Sequence, residues 1–235
     1  MSIGQFGTMG GLIAAYHLNA NANDFSGSAY HGTDTDITYD PVTGILGPGA
    51  KFDGDSSKIV LPAGLWTPMA NATFSIAVVV QLPASAPGTQ PIFGRSRVQI
   101  SGGDQYGYVF ALSSNSIYYH RGCGYDTLYQ VSATVAFESS KRYLLGLTYN
   151  HSTGYGTVYC VPLYAGLKLS QGTADIWMGD ATIYAPNDQG LCVGANLRNT
   201  SNQYSTLTMN EFLVFNRILP LKWYVDYAAY LRGFK

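Results

Sequence analysis

The strongest constraint on this chain is that its apolar residues recur at every second position, in runs too short for anything but strands. In "TFSIAVVVQL", Phe74, Ile76, Val78, Val80 and Leu82 share one parity, and Ser75, Ala77, Val79 and Gln81 share the other. Side chains of a strand alternate between its two faces, so this run has one strongly apolar face. "RYLLGLTYN" repeats the pattern with Tyr143, Leu145, Leu147 and Tyr149, and "GTVYCVPLY" follows the turn-like "NHSTGYG", which predicts a hairpin. Pro162 in the second run has no N–H for a ladder, which predicts an edge or bulged strand there. Further short strands are expected at Lys58 to Pro62, Gln90 to Phe93, Val98 to Ser101, Tyr108 to Leu112, Ile117 to His120, Leu128 to Val135, Leu191 to Ala195 and Leu207 to Phe215.

One helix interrupts this pattern. Pro220 can open it, Leu221, Val225, Ala228 and Leu231 follow at helical spacing, and Gly233 can end it. With no repeat, linker or composition shift along 235 residues, the expectation is an all-β fold: a two-sheet antiparallel β-sandwich with one short C-terminal helix. Residues 1–10 read as a flexible entry segment and 11–235 as the sandwich domain.

Composition narrows the partners. Charged residues are 11% of the chain, against roughly 25% in an average soluble domain. The formal charge is -1 with no Lys/Arg cluster, so neither nucleic acid nor an anionic membrane is expected as a partner. No run reaches the roughly 20 apolar residues of a membrane span. The 19 Tyr give a neutral surface of amphipathic rings suited to neutral polymers. The three Cys lack metal-site spacing and read as small buried hydrophobes. The start, "MSIGQFGTMGGLIAAYHL", lacks the basic n-region of a secretory leader.

Four stretches, taken in order, resemble the laminin G-like branch of the concanavalin A-like lectin/glucanase jelly rolls. They are "GLIAAYHLNANANDFSGSAYHGT", "TGILGPGAKFDGDSSKIVLPAG", "YLLGLTYNHSTGYGTVYCVPLYAG" and "MNEFLVFNRILPLKWYVDYAAYL". The resemblance spans nearly the whole chain. It implies that the first and last strands pair side by side, that such modules bind carbohydrate or protein ligands, and that a calcium ion is frequent.

Calcium takes six to eight oxygens, and tight Gly/Asn/Ser turns let carbonyls converge. "NANDFSGSAYHGT", opened by Asn21, offers such a turn with Asp24 as carboxylate, and Glu211 in "LTMNEFLVF" is the natural second one. Both parities of that strand are apolar, so Glu211 needs a partner. The expected structural Ca2+ site is therefore Asp24, Glu211 and Asn21. The alternative is that Asp24 makes an Asx turn while Glu211 pairs with Arg217 or reaches solvent. Asp53 and Asp55 flank Gly54; the resemblance implies a strand entry there with Phe52 buried, and a second ion is the lesser reading.

Nothing in the sequence carries catalysis. Glycosidases place two carboxylates across the scissile bond, and the only two Glu here, Glu138 and Glu211, lie far apart in sequence. Asp34 and Asp36 alternate but sit in an exposed Thr/Asp-rich stretch, and the four His show no HExxH spacing. No enzyme is expected. Sugar recognition needs flat aromatic faces beside a few fixed polar groups, and "GGDQYGYVFALSSNSIYYHRGCGYDTLYQ" is densest in both. Its Tyr106, Tyr119 and Tyr125, together with Trp66 in "GLWTP", are the candidate ligand-binding residues, with core packing the competing role for each.

Two functions follow. One is a non-catalytic, lectin-like module binding a glycan or surface polysaccharide, outside a cell or on a particle. The other is a structural virion protein, such as a phage capsid decoration, spike or tail-fibre component, whose sandwich assembles with virion proteins or with itself as a homo-oligomer.

Overall fold

The computed structural model describes residues 10–40, 49–70, 72–85, 88–100, 104–123, 128–164, 169–175, 191–197 and 202–233. Seventeen strands and two helices appear among them. The N-terminal part contributes β1 (Leu12–Tyr16), β2 (Thr33–Thr35), β3 (Thr38–Asp40), β4 (Gly49–Lys51), β5 (Lys58–Leu61), α1 (Ala63–Ala70) and β6 (Phe74–Gln81). The middle contributes β7 (Gln90–Ile100), β8 (Asp104–Ser113), β9 (Ser116–Cys123), β10 (Leu128–Thr134), β11 (Arg142–Asn150), β12 (Tyr155–Pro162) and β13 (Ser170–Asp175). The remainder is β14 (Leu191–Val193), β15 (Ala195–Asn196), β16 (Gln203–Tyr204), β17 (Thr208–Phe215) and α2 (Leu221–Arg232).

Two antiparallel sheets form the sandwich. The first runs β13-β12-β11-β6-β17-β4-β3, with β1 also on β17, and the second runs β10-β9-β8-β7-β14-β5-β2. β1 pairs with β17 through Tyr16 opposite Phe212 and Ala15 opposite Leu213, which is the side-by-side pairing of first and last strands that the resemblance implied. The two-residue β15 and β16 pair with each other.

The alternation read from the sequence sorts the core. Phe74, Ile76, Val78, Val80 and Leu82 enter the space between the sheets, along with Phe212, Val214, Tyr143, Leu145 and Leu147. Their alternating partners Ala77, Val79, Leu144, Leu213 and Phe215 face outward and are covered by α2 through Tyr224, Tyr227, Ala228 and Leu231. This differs from the expected helix face, because Val225 is exposed and Tyr224 and Tyr227 take the sheet side. Gly146 makes the docking possible, since a Cβ there would overlap the Tyr224 ring. The Tyr224 hydroxyl then reaches through to donate to the Ile76 carbonyl at 2.9 Å.

Three expectations need correction. β12 is not an edge strand, since it lies between β11 and β13; Pro162 is tolerated because β13 pairing stops at Cys160 opposite Ser170. Gln90 to Phe93 and Val98 to Ile100 are not two strands with a gap, because β7 runs through both with bulges at Pro91/Phe93 and Arg95/Val98; Ser101, the expected end of the second, lies outside the described residues. A second helix, α1, stands beside the single helix expected, although it contains Gly64 and Pro68. Its buried Leu65 and Met69 lie one turn apart, so tertiary burial overrides the poor local propensity.

Candidate functional site

The first loop closes over the end of β1. Asp24 is its pivot: Oδ1 accepts from Ala15 N at 2.9 Å and Ser26 N at 2.8 Å, and Oδ2 accepts from Ser26 Oγ at 2.9 Å and Tyr30 N at 3.0 Å. Burial pushes its carboxyl up, but these four donors outweigh burial and hold it below the usual carboxylate range. The Ser26 N–H contact two residues on is the Asx turn weighed as the alternative to a metal. Asn21 behaves alike, its Oδ1 accepting from Asn23 N at 3.0 Å.

Glu211 sits elsewhere in hydrogen-bonding terms. Between Met209 and Phe212, which both enter the inter-sheet core, β17 carries a bulge that places two residues, Asn210 and Glu211, on the outer side. The partner of Glu211 is not Arg217 but His17, whose Nδ1 lies 2.9 Å from Oε1. That hydrogen bond raises the His17 pKa against its partial burial. Burial raises the Glu211 pKa, with His17 opposing. Phe25, 54% exposed, lays its ring over His17 at 4.8 Å.

The three expected calcium ligands have different hydrogen-bond partners, Glu211 bonding to His17. Asp24 and Asn21 are engaged by their own loop, and no three His, Cys, Asp or Glu side chains stand together among the described residues. Glu211 Oε2 and Asn210 Oδ1, adjacent on the bulge, are buried oxygens without a hydrogen-bond partner among the described residues, as is Asn196 Oδ1 elsewhere. Asn210 was missed because a bulge cannot be seen in a period-2 pattern. The second acidic pair is also locally engaged: Asp53 Oδ1 accepts from the backbone of Asp55, Ser56 and Ser57 at 2.8–3.1 Å, with Gly54 turning at φ +85° and Phe52 buried. Asp34 accepts from the Tyr39 hydroxyl at 2.6 Å.

Of the four aromatic candidates, Tyr119 has a described side chain. Tyr119 is fully buried, its ring edge-on to Phe74 in the core, so the packing role applies to it and not the ligand role. Trp66 lies on α1 and Tyr106 on β8, with side chains outside the described residues, and Tyr125 is itself outside them.

A groove of about 280 Å³ opens instead at the far end of the first sheet, lined by Lys51, Gln81, Leu82, Pro83, Ala84, Ser140, Thr206 and Thr208. The sheet register builds its floor. Lys51 of β4 stands opposite Thr208 of β17, Thr208 opposite Gln81 of β6, and Gln81 opposite Arg142 of β11. The sequence neighbours of these residues, among them Ala50, Phe52, Val80, Leu82, Leu207, Met209 and Tyr143, all enter the inter-sheet core. Strand alternation therefore turns the row outward. Arg142 Nε donates to Gln81 Oε1 at 3.1 Å, which leaves the Gln81 amide NH2 as the free donor. Sequence reasoning passed over this row because its members are four ordinary polar residues on four different strands.

No family model matches the chain, and no curated protein does at a meaningful level. Solved structures do, at the level of fold. The binding domain of botulinum neurotoxin DC, solved with rat synaptotagmin II, has a TM-score of 0.62 at 14% identity over 96% of this chain. The chain spans about half of that domain, 52%. The Ruminococcus gnavus IT-sialidase CBM40 bound to alpha2,3 sialyllactose has a TM-score of 0.59 at 12% identity, covering 77% of this chain and 95% of the CBM. A mutant Trypanosoma rangeli sialidase has a TM-score of 0.60 at 18% identity, covering 94% of this chain but 32% of that enzyme. What these structures share with the chain is the β-sandwich fold.

Proposed function

We infer that this chain is a non-catalytic carbohydrate-binding module of the laminin G-like type, acting at a cell or particle surface. The observation that carries this reading is the groove on the outer face of the first sheet. It offers an ammonium, an amide and hydroxyl groups at fixed register, and no carboxylate among its lining residues. Such a lining can hydrogen-bond a sugar but cannot supply the acid and base that glycoside hydrolysis requires. Support comes from the fold likeness to CBM40, a module solved with sialyllactose, and to a toxin binding domain.

A structural calcium ion is a separate proposal within the reading. Glu211 Oε2 and Asn210 Oδ1 support it as buried oxygens lacking partners among the described residues, whereas Asp24 and Asn21 are engaged by their own loop.

The test is a glycan array followed by titration calorimetry on the hits, run beside size-exclusion chromatography with light scattering. A glycan bound in solution, with no hydrolysis product on prolonged incubation, supports the module. A stable trimer or pentamer with no glycan signal would transfer the reading to an assembly protein of a virion.

A further inference from the structure

The groove row differs from an ordinary polar surface in its charge. Lys51 makes no ion pair among the described residues, and no Asp or Glu lines the groove with it. The free donors are the Lys51 ammonium, the Gln81 amide NH2 and the hydroxyls of Thr208 and Ser140, none of which has a side-chain partner among the described residues. Ser140 is held in place by its own backbone, at φ 61° with its N–H on the Pro83 carbonyl at 3.1 Å. The site is therefore rich in donors, carries one uncompensated positive charge, and has no aromatic platform among its lining residues.

Donors around an unpaired ammonium fit an oxyanion, and charge-assisted hydrogen bonds are roughly twice as strong as neutral ones. The volume is just below the range of pockets for drug-sized ligands, a size suited to one sugar ring. Resting on the carbohydrate-binding reading, we propose that this groove is the specificity subsite for an acidic sugar, with Lys51 pairing with its carboxylate and Gln81, Thr208 and Ser140 donating to the carboxylate or ring oxygens. Arg142 is a positioning residue, since it touches the ligand only through the Gln81 amide it orients.

The experiment is calorimetric or NMR titration with methyl glucuronide and N-acetylneuraminic acid, against methyl glucoside as the neutral counterpart and sodium sulfate as a bare anion. The acidic sugars should bind about tenfold or more tightly than methyl glucoside, since one hydrogen bond to a charged group is worth about that factor. Raising the salt concentration should shrink the difference. Lys51→Gln should abolish it and Lys51→Arg should retain it; Lys51 is exposed, so both variants fold. Equal binding of acidic and neutral sugars, or a difference that survives Lys51→Gln, would overturn the proposal while leaving the carbohydrate reading in place. Sulfate binding as tightly as the acidic sugars would reduce the site to an adventitious ion only. Failure of every glycan on the array would remove both.

Discussion

Replacing His17 by Phe should destabilise the protein by an amount that depends on pH. Glu211 is 2% exposed, its Oε1 is held by His17 at 2.9 Å, and its Oε2 has no partner among the described residues. His17→Phe keeps a ring beneath Phe25 but leaves the carboxylate with no donor. Removing one member of a buried pair costs roughly 3–5 kcal/mol. The folded chain can escape part of that by protonating Glu211, whose ordinary value is 4.5. At 1.36 kcal/mol per pH unit, that escape costs about 3.4 kcal/mol at pH 7 and about 0.7 kcal/mol at pH 5. The loss should therefore be about 3 kcal/mol at pH 7 and under about 1 kcal/mol at pH 5. For a chain of this size the midpoint should fall by about 6–12 °C at pH 7.

The wild type has its own pH dependence. Both pKa values are raised, so the folded state binds these protons more tightly than the unfolded state. Their contribution is complete below the ordinary values and is lost as pH rises, from 4.5 upward for Glu211 and from 6.5 upward for His17. Urea unfolding followed by circular dichroism at pH 5, 7 and 9 measures all of this. Adding Glu211→Gln to His17→Phe should restore most of the loss at pH 7. A loss of equal size at pH 5 and pH 7, or no recovery in the double variant, would refute the reasoning.

Gly172→Ala should cost several kcal/mol or prevent folding, because a Cβ there would overlap the Ser132 carbonyl where β13 meets β10; thermal unfolding of the purified variant decides it. Asp24→Ala should cost about 2–3 kcal/mol by stranding the buried Ala15 N–H and the Ser26 and Tyr30 amides. Since the Asp24 value is depressed, its contribution is present above 3.8 and disappears as pH falls through the lower folded value, which acid unfolding of wild type and variant compares. If calcium binds at Asn210 and Glu211, the ion at a hundred times its dissociation constant should add about 2.7 kcal/mol to EDTA-treated protein. That gain should vanish in Glu211→Ala, and an unchanged wild-type midpoint would remove the ion.

The alternation in "TFSIAVVVQL" and "RYLLGLTYN" was enough to determine β6 and β11 and the inward face of each, and with the turn that follows the β11–β12 hairpin, because period 2 is a local property of an extended chain. The C-terminal helix was legible for the same reason, in its own period, although which face it buries was not. Tyr224 is buried only because Gly146, 78 positions earlier, leaves room for its ring. The bulge at Asn210, the His17 partner of Glu211 and the helix over Gly64 and Pro68 were likewise decided by neighbours distant in sequence. So was the groove. Lys51, Gln81, Thr208 and Arg142 carry no motif, and only the pairing of four strands sets them in one row. Local pattern determines which face a residue takes; register, which depends on the whole sheet, determines what it meets there.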